Sequence, residues 1–234
     1  MDYSYLDIAK MIDHSLLNPV LTDEEMIAGA ILARDYDVAS ACVKPYFLKR
    51  CAEILEGSDV APSTVIGFPH GGSIPAVKLA EAEQALHDGG TELDMVVNIG
   101  KVLSEDWDLV TSEIQAIVEL THQANGLVKV IFENCYLNDD HKIRLCQICG
   151  DVGADFVKTS TGYGTGGATL DDLTLMRKHS PEHVRVKAAG GVRTLDSLLE
   201  VRAVGVARCG ATRTAGMLTE CRERLGVSAG ESLV

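Results

Sequence analysis

The 234-residue sequence predicts an α/β fold, a closed (β/α)8 TIM barrel with one extra helix at the N-terminus. Short apolar runs alternate with amphipathic stretches along the whole chain. Such alternation calls for a parallel sheet, because parallel neighbours need helical crossovers. Eight such units in a chain of this length suit a barrel, which runs to about 250 residues. An open doubly wound sheet is the alternative. It would prefer a glycine-rich loop after the first strand, and Asp13-His14-Ser15-Leu16 is not one. No linker, repeat or composition break divides the chain, so residues 1–234 read as one domain.

A first helix is expected near residues 3–10, ahead of the barrel. Strands are expected at 11–16, 38–43, 64–68, 92–98, 127–133, 155–159, 184–188 and 206–209. Thr22-Asp23-Glu24-Glu25 reads as a capping box, in which the Thr hydroxyl and the Glu three residues on satisfy free N–H groups reciprocally. Pro75 suits a first helical turn, and the Ala/Leu/Glu-rich run to Leu86 continues it. Thr169-Leu170-Asp171-Asp172 opens a further helix. The 228–234 stretch, with few apolar residues, reads as a tail that either reaches the site or has no part in it.

Hydrophobic residues make up 46% and charged residues 24%, a globular mix that argues against disorder. The net charge of −13 repels phosphodiester backbones, so no nucleic-acid partner is expected. A small pocket for one phosphate is not excluded by it. No run of about 18 apolar residues suggests a membrane span, and the N-terminus lacks the basic and apolar regions of a secretory signal. Seven scattered cysteines, with Cys146 and Cys149 the one tight pair, fit reduced thiols in the cytoplasm. They offer no zinc-ligand spacing, so neither metal nor cofactor is expected.

A barrel carries its active site at the C-terminal ends of its strands. The residues expected there include Asp13, Cys42, Asp94, Glu133, Lys158, Lys187 and the Gly190-Gly191 pair. Asp94, Lys158 and Lys187 each stand inside an otherwise apolar strand. Charges are rarely buried unless paired, so an Asp94–lysine salt bridge is one reading of them. Two lysines in one deep site favour a second. Each cation makes the other harder to protonate, and desolvation acts in the same direction. A lysine left neutral can add to a carbonyl and form a Schiff base, the chemistry of class I aldolases. Asp94 and the other lysine would then relay protons.

The phosphate signal is separate. Lys187 is followed by Ala188-Ala189-Gly190-Gly191-Val192-Arg193, and the last strand by Gly210-Ala211-Thr212-Arg213. A third glycine-rich loop, with Gly162 near its start, follows Lys158. Barrels frequently bind phosphate in the loops after strands seven and eight. A phosphorylated carbonyl substrate is therefore expected. His14, His70 and Trp107 read as packing or turn residues, Cys42 as a buried inert thiol that lines the pocket, and Gly67-Phe68-Pro69-His70-Gly71-Gly72 as a turn shaping the mouth. A phosphosugar isomerase or epimerase, with Asp94 and Lys187 doing acid/base work, remains open, as does a catalytically silent binding barrel.

The stretches Ile12-Asp13-His14-Ser15-Leu16-Leu17, Ala41-Cys42-Val43-Lys44-Pro45, Val65-Ile66-Gly67-Phe68-Pro69-His70-Gly71, Glu92-Leu93-Asp94-Met95-Val96, Lys129-Val130-Ile131-Phe132-Glu133, Phe156-Val157-Lys158-Thr159-Ser160-Thr161-Gly162 and Val186-Lys187-Ala188-Ala189-Gly190-Gly191-Val192-Arg193 resemble the deoxyribose-phosphate aldolase family. The resemblance covers almost the whole chain. It implies a (β/α)8 barrel that reversibly cleaves 2-deoxy-D-ribose 5-phosphate to acetaldehyde and D-glyceraldehyde 3-phosphate. By the same resemblance Lys158 is the Schiff-base lysine, Lys187 lowers its pKa, and Asp94 is the acid/base aspartate acting through a water. Asp13 would bind sugar hydroxyls, while Gly162, Gly190, Gly191, Arg193, Gly210 and Thr212 match the phosphate region. A homodimer or higher homo-oligomer is implied as well. The chain departs from the family pattern at Asn18, Asn134, Ala189 and Ala211-Thr212, none of which is a catalytic position.

Overall fold

The computed structural model describes residues 2–227; the tail at 228–234 lies outside them. Eight parallel strands close into a barrel in chain order, with the first pairing to the last. They are β1 (Ile12–Leu16), β2 (Ser40–Val43), β3 (Ala61–Ile66), β4 (Glu92–Val96), β5 (Leu127–Ile131), β6 (Phe156–Lys158), β7 (Arg185–Ala189) and β8 (Arg208–Ala211). The outer ring comprises α2 (Asp23–Asp35), α3 (Leu48–Leu55), α4 (Pro75–His87), α6 (Trp107–Gln123), α7 (Asp139–Asp151), α8 (Leu170–His179), α9 (Leu195–Ala203) and α10 (Thr214–Leu225). A short helix, α5 (Ile99–Leu103), sits between β4 and α6.

The extra N-terminal helix is α1 (Tyr5–Ala9), shorter than expected because Ser4 and Asp7 close a capping box over its start. Its Tyr5 hydroxyl donates to Tyr36 O at 2.9 Å, and Arg222 of α10 lies over the Tyr5 ring at 4.6 Å. Those contacts tie it to the outer ring. The capping box at Thr22 forms, Pro75 occupies the first turn of α4, and the Thr169 side chain accepts from Asp172 N at the start of α8.

Strands β3 and β8 are displaced from the sequence expectation by two or more residues at both ends, whereas the bounds of the other six stay within two residues of it. Strand β3 begins earlier, at Ala61, because Pro62 keeps a useful carbonyl that accepts Thr91 N–H at 2.9 Å. It ends before Phe68 because Gly67, at φ +63°, turns the chain and its carbonyl accepts Gly71 N–H. Strand β8 runs on through Gly210 to Ala211, because Gly210 pairs in register with both Ala189 and Asp13. A glycine that reads as punctuation in sequence here leaves space inside the barrel.

Side chains alternate across each strand, and the pairing aligns like faces. Asp94 pairs with Lys129, Lys158 with Lys187, and Lys187 with Arg208. All face inward. The residues between them, such as Leu93, Met95, Val128, Val130, Val157, Val186 and Ala188, are buried and join the apolar core against the helices. Below the charged residues Phe156 fills the barrel, with the Arg185 guanidinium 4.0 Å from its ring centre.

Candidate active site

The inward charges form one connected cluster. Lys158 Nζ donates to Asp94 Oδ2 at 2.6 Å and Lys187 Nζ donates to the same oxygen at 2.7 Å. Lys129 Nζ donates to Asp94 Oδ1 at 2.8 Å and lies 2.7 Å from Glu92 Oε2. Lys187 and Arg208 both pair with Asp13, and Arg208 Nη2 donates to Glu92 Oε1 at 2.8 Å. Asp94 thus bonds three lysines rather than the one that a simple salt bridge would need. All seven side chains are at least four-fifths buried.

Burial alone would raise the Asp94 carboxyl, but the three ammonium groups outweigh it and hold it well below the ordinary carboxylate range. Asp13 is lowered for the same reason by Lys187, Arg208 and Lys129. Burial would lower Lys187, yet Asp13 and Asp94 push it up, so it stays a cation. Lys129 is raised likewise by Asp94, Glu92 and Asp13. Lys158 goes the other way. Its burial dominates, Asp94 opposes, and the Lys187 cation adds to the lowering. Lys158 is the lysine of this cluster most ready to lose a proton.

A cavity of about 530 Å³ opens above the cluster at the C-terminal ends of the strands. Asp13, Cys42, Lys158 and Lys187 line its floor and sides. Gly162, Gly190, Gly191, Arg193, Gly210 and Thr212 line its rim. Asp94 does not line it. It is fully buried beneath the two lysines, so it reaches the cavity through their amines. Of the loop after Lys158, Thr161, Gly162 and Tyr163 form the wall. Gly167 packs instead on the next loop, where a Cβ would come within 2.6 Å of Gly190 O. The Glu133 carboxylate accepts from Thr161 N at 3.1 Å and from the Thr161 hydroxyl, fixing that wall.

Cys42 lines the cavity with its thiol pushed up by burial, so it remains protonated. Phe68 and Pro69, from the turn expected to shape the mouth, border an apolar cleft with Leu17 and Tyr163. The Tyr163 hydroxyl donates to Leu17 O at 2.8 Å between the two hollows. His14 faces outward, 2.8 Å from Thr214 Oγ1. Cys146 and Cys149 are buried on α7, and all seven cysteines are free. Among the described residues no group of three or more His, Cys, Asp or Glu could hold a metal ion.

Three cluster members escaped the sequence reading. Lys129 carries the same signal as Lys158, a charge within the apolar run Leu127-Val128-Lys129-Val130-Ile131, and could have been found by it. Glu92 and Arg208 stand at strand starts, where a charge is ordinarily solvated. Arg208 belongs with these carboxylates rather than with the phosphate loops.

Residues 8–230 match the family model described as DeoC/LacD family aldolase. The chain is 63% identical over 228 residues to a deoxyribose-phosphate aldolase of Rhodopirellula baltica, covering 97% of this chain and 95% of that one. It is 46% identical over 207 residues to the Listeria monocytogenes deoxyribose-phosphate aldolase, covering 88% and 92%. The tetrameric deoxyribose phosphate aldolase of Aeropyrum pernix superposes with a TM-score of 0.87 at 32% identity, covering 94% and 93%. A buried lysine amine at the floor of a barrel-mouth cavity, hydrogen-bonded to a carboxylate oxygen that a second lysine shares, agrees with these likenesses, and the chain belongs to the DeoC/LacD family of aldolases.

Proposed function

We propose that this aldolase reversibly cleaves 2-deoxy-D-ribose 5-phosphate to acetaldehyde and D-glyceraldehyde 3-phosphate through a Schiff base on Lys158. The observation that carries the assignment is the Lys158 amine, lowered by burial and opening into the cavity while the Lys187 beside it stays charged. Lys158 Nζ adds to C1 of the open-chain sugar, the Lys187 ammonium protonates the departing hydroxyl, and loss of water leaves a protonated imine. The C3 hydroxyl gives its proton to the Lys187 amine left by that step, and the C2–C3 bond breaks. Its electron pair moves into the imine, giving an enamine, and D-glyceraldehyde 3-phosphate departs. Protonation at C2 and hydrolysis by water release acetaldehyde and the free amine.

Protons travel along Lys187 Nζ, Asp94 Oδ2 and Lys158 Nζ, spaced 2.7 and 2.6 Å apart. Asp94 relays them without touching the sugar, and Asp13, on the cavity floor, binds a sugar hydroxyl. The phosphate lies at the rim made by Gly162, Gly190, Gly191, Gly210 and Thr212, with Arg193 as an exposed cation above it. The first turn of α10 has no side-chain cap, so its N–H groups suit an anion. The one-domain chain works in the cytoplasm as a homo-oligomer. In support, no helix among the described residues is long and apolar enough to cross a membrane, and the Aeropyrum pernix relative is tetrameric.

Borohydride reduction in the presence of acetaldehyde tests the reading. An ethyl group on Lys158 and lost activity are expected; an unmodified protein would point to an isomerase or a silent barrel. Removing the 5-phosphate from the sugar is expected to slow cleavage by roughly 100-fold, because binding energy at the remote phosphate serves the reacting centre.

A further inference from the structure

We propose that Lys129 and Glu92 are positioning residues of opposite sign: from beneath the site, Lys129 keeps the Lys158 amine uncharged and Glu92 draws a proton toward it. The proposal rests on the reading of Lys158 as the Schiff-base lysine. It starts from a count of buried charge. The cluster holds the carboxylates of Asp13, Glu92 and Asp94 and the basic groups of Lys129, Lys158, Lys187 and Arg208. Three carboxylates are matched by three cations, and a fourth buried cation would stand uncompensated. Uncompensated charge in a dry interior is costly, so one basic group gives up its proton. Among the described residues Lys129, Lys187 and Arg208 each contact two or more carboxylates, whereas Lys158 contacts Asp94 alone. Lys158 is therefore the group that yields.

The surroundings of Lys158 do not alter the count. From β1 and β2 it is faced by Asp13 and by the protonated thiol of Cys42. Strand β4 supplies Glu92 and Asp94, β5 Lys129, β7 Lys187 and β8 Arg208. Glu133, just beyond β5, is committed to Thr161, and Arg185 lies against the Phe156 ring at the base of the barrel. Lys129 shares the Asp94 carboxylate with Lys158, one on each oxygen, and is itself fully buried. Without its charge, Asp94 would be free to hold a proton on Lys158. Without the charge of Glu92, Lys129 and Arg208 would be under-neutralised and would repel that proton. A lysine that only filled space would move neither.

The test uses the full-length Lys129→Met and Glu92→Gln proteins and their double variant. Each is trapped with acetaldehyde and borohydride across a pH series, and the ethyl adduct on Lys158 is quantified by mass. The pH midpoint of adduct formation is expected to rise by about one unit in Lys129→Met. It should fall in Glu92→Gln and return toward the parent value in the double variant. Should Lys129→Met fail to fold, the downward shift of the near-isosteric Glu92→Gln decides. Unmoved midpoints, or shifts of the same sign, would overturn the proposal. A parent protein with no adduct on Lys158 would instead overturn the Schiff-base reading itself.

Discussion

Two buried lysines on opposite sides of the barrel wall show what separates a reactive amine from a structural one. Lys158, inside, donates to Asp94 at 2.6 Å; Lys78 of α4, outside, donates to Glu113 of α6 at 2.8 Å. Burial lowers both, and the paired carboxylate opposes it in both. The difference is what lies beyond the nitrogen. Lys78 closes on the Val96 carbonyl at 2.8 Å, and its stem is packed so tightly on Gly67 that a Cβ there would come within 2.6 Å. Lys158 opens into a cavity of about 530 Å³. A perturbed amine becomes a nucleophile only where a carbonyl can reach it. Sealed in, the same perturbation fastens α4 and α6 to the end of the strand that carries Asp94.

The comparison is broken most directly by exchanging each lysine for methionine. Lys158→Met is expected to lower kcat on the order of 10^4-fold, a loss typical of removing a covalent nucleophile, while the protein stays folded by circular dichroism. Activity within tenfold of the parent would sink the assignment. Lys78→Met strands the buried Glu113 and should cost about 3–5 kcal/mol in denaturant unfolding. Its Lys158 adduct should form at the parent pH. A folded Lys78→Met protein without that adduct would show that access alone does not divide the two lysines.

His14 sharpens the same contrast with a smaller effect. It neighbours Asp13 on β1 yet points outward to Thr214, and burial lowers it from an ordinary 6.5 to about 4. Between those values the unfolded chain binds a proton that the fold refuses. Stability therefore rises with pH through that window and is lost as pH falls from about 6.5 toward 4, by about 3 kcal/mol. Melting temperatures of His14→Gln should be flatter over that range. An unaltered acid limb would mean that His14 is not the titrating group.

The apolar strands carrying Asp94, Lys158 and Lys187 are legible in sequence because the side-chain period of two sets a face. An inward charge flanked by outward Val, Leu or Ala marks itself. The same pattern marks Lys129, and its place in the barrel-facing set follows from its pairing opposite Asp94. Gly190 and Gly191 announce a turn, and their positive φ values of +79° and +98° are what glycine permits. Lys78 offers no such mark, since on an amphipathic helix a lysine in the run from Ala76 to Leu86 reads as solvated.

What the sequence determined alone was thus the alternation of strands and helices, the inward face of each strand, and the amines and carboxylates that face holds. Closure of the barrel decided the rest. It carried Asp13 of β1 and Asp94 of β4 to Lys187 of β7, residues that no strand period relates to one another. It also buried Asp94 under two amines that both face the cavity. The physical reason is that a strand's period fixes which side of the wall a group occupies. The charge that faces it across the barrel, and the water denied to both, depend on all eight strands meeting at once.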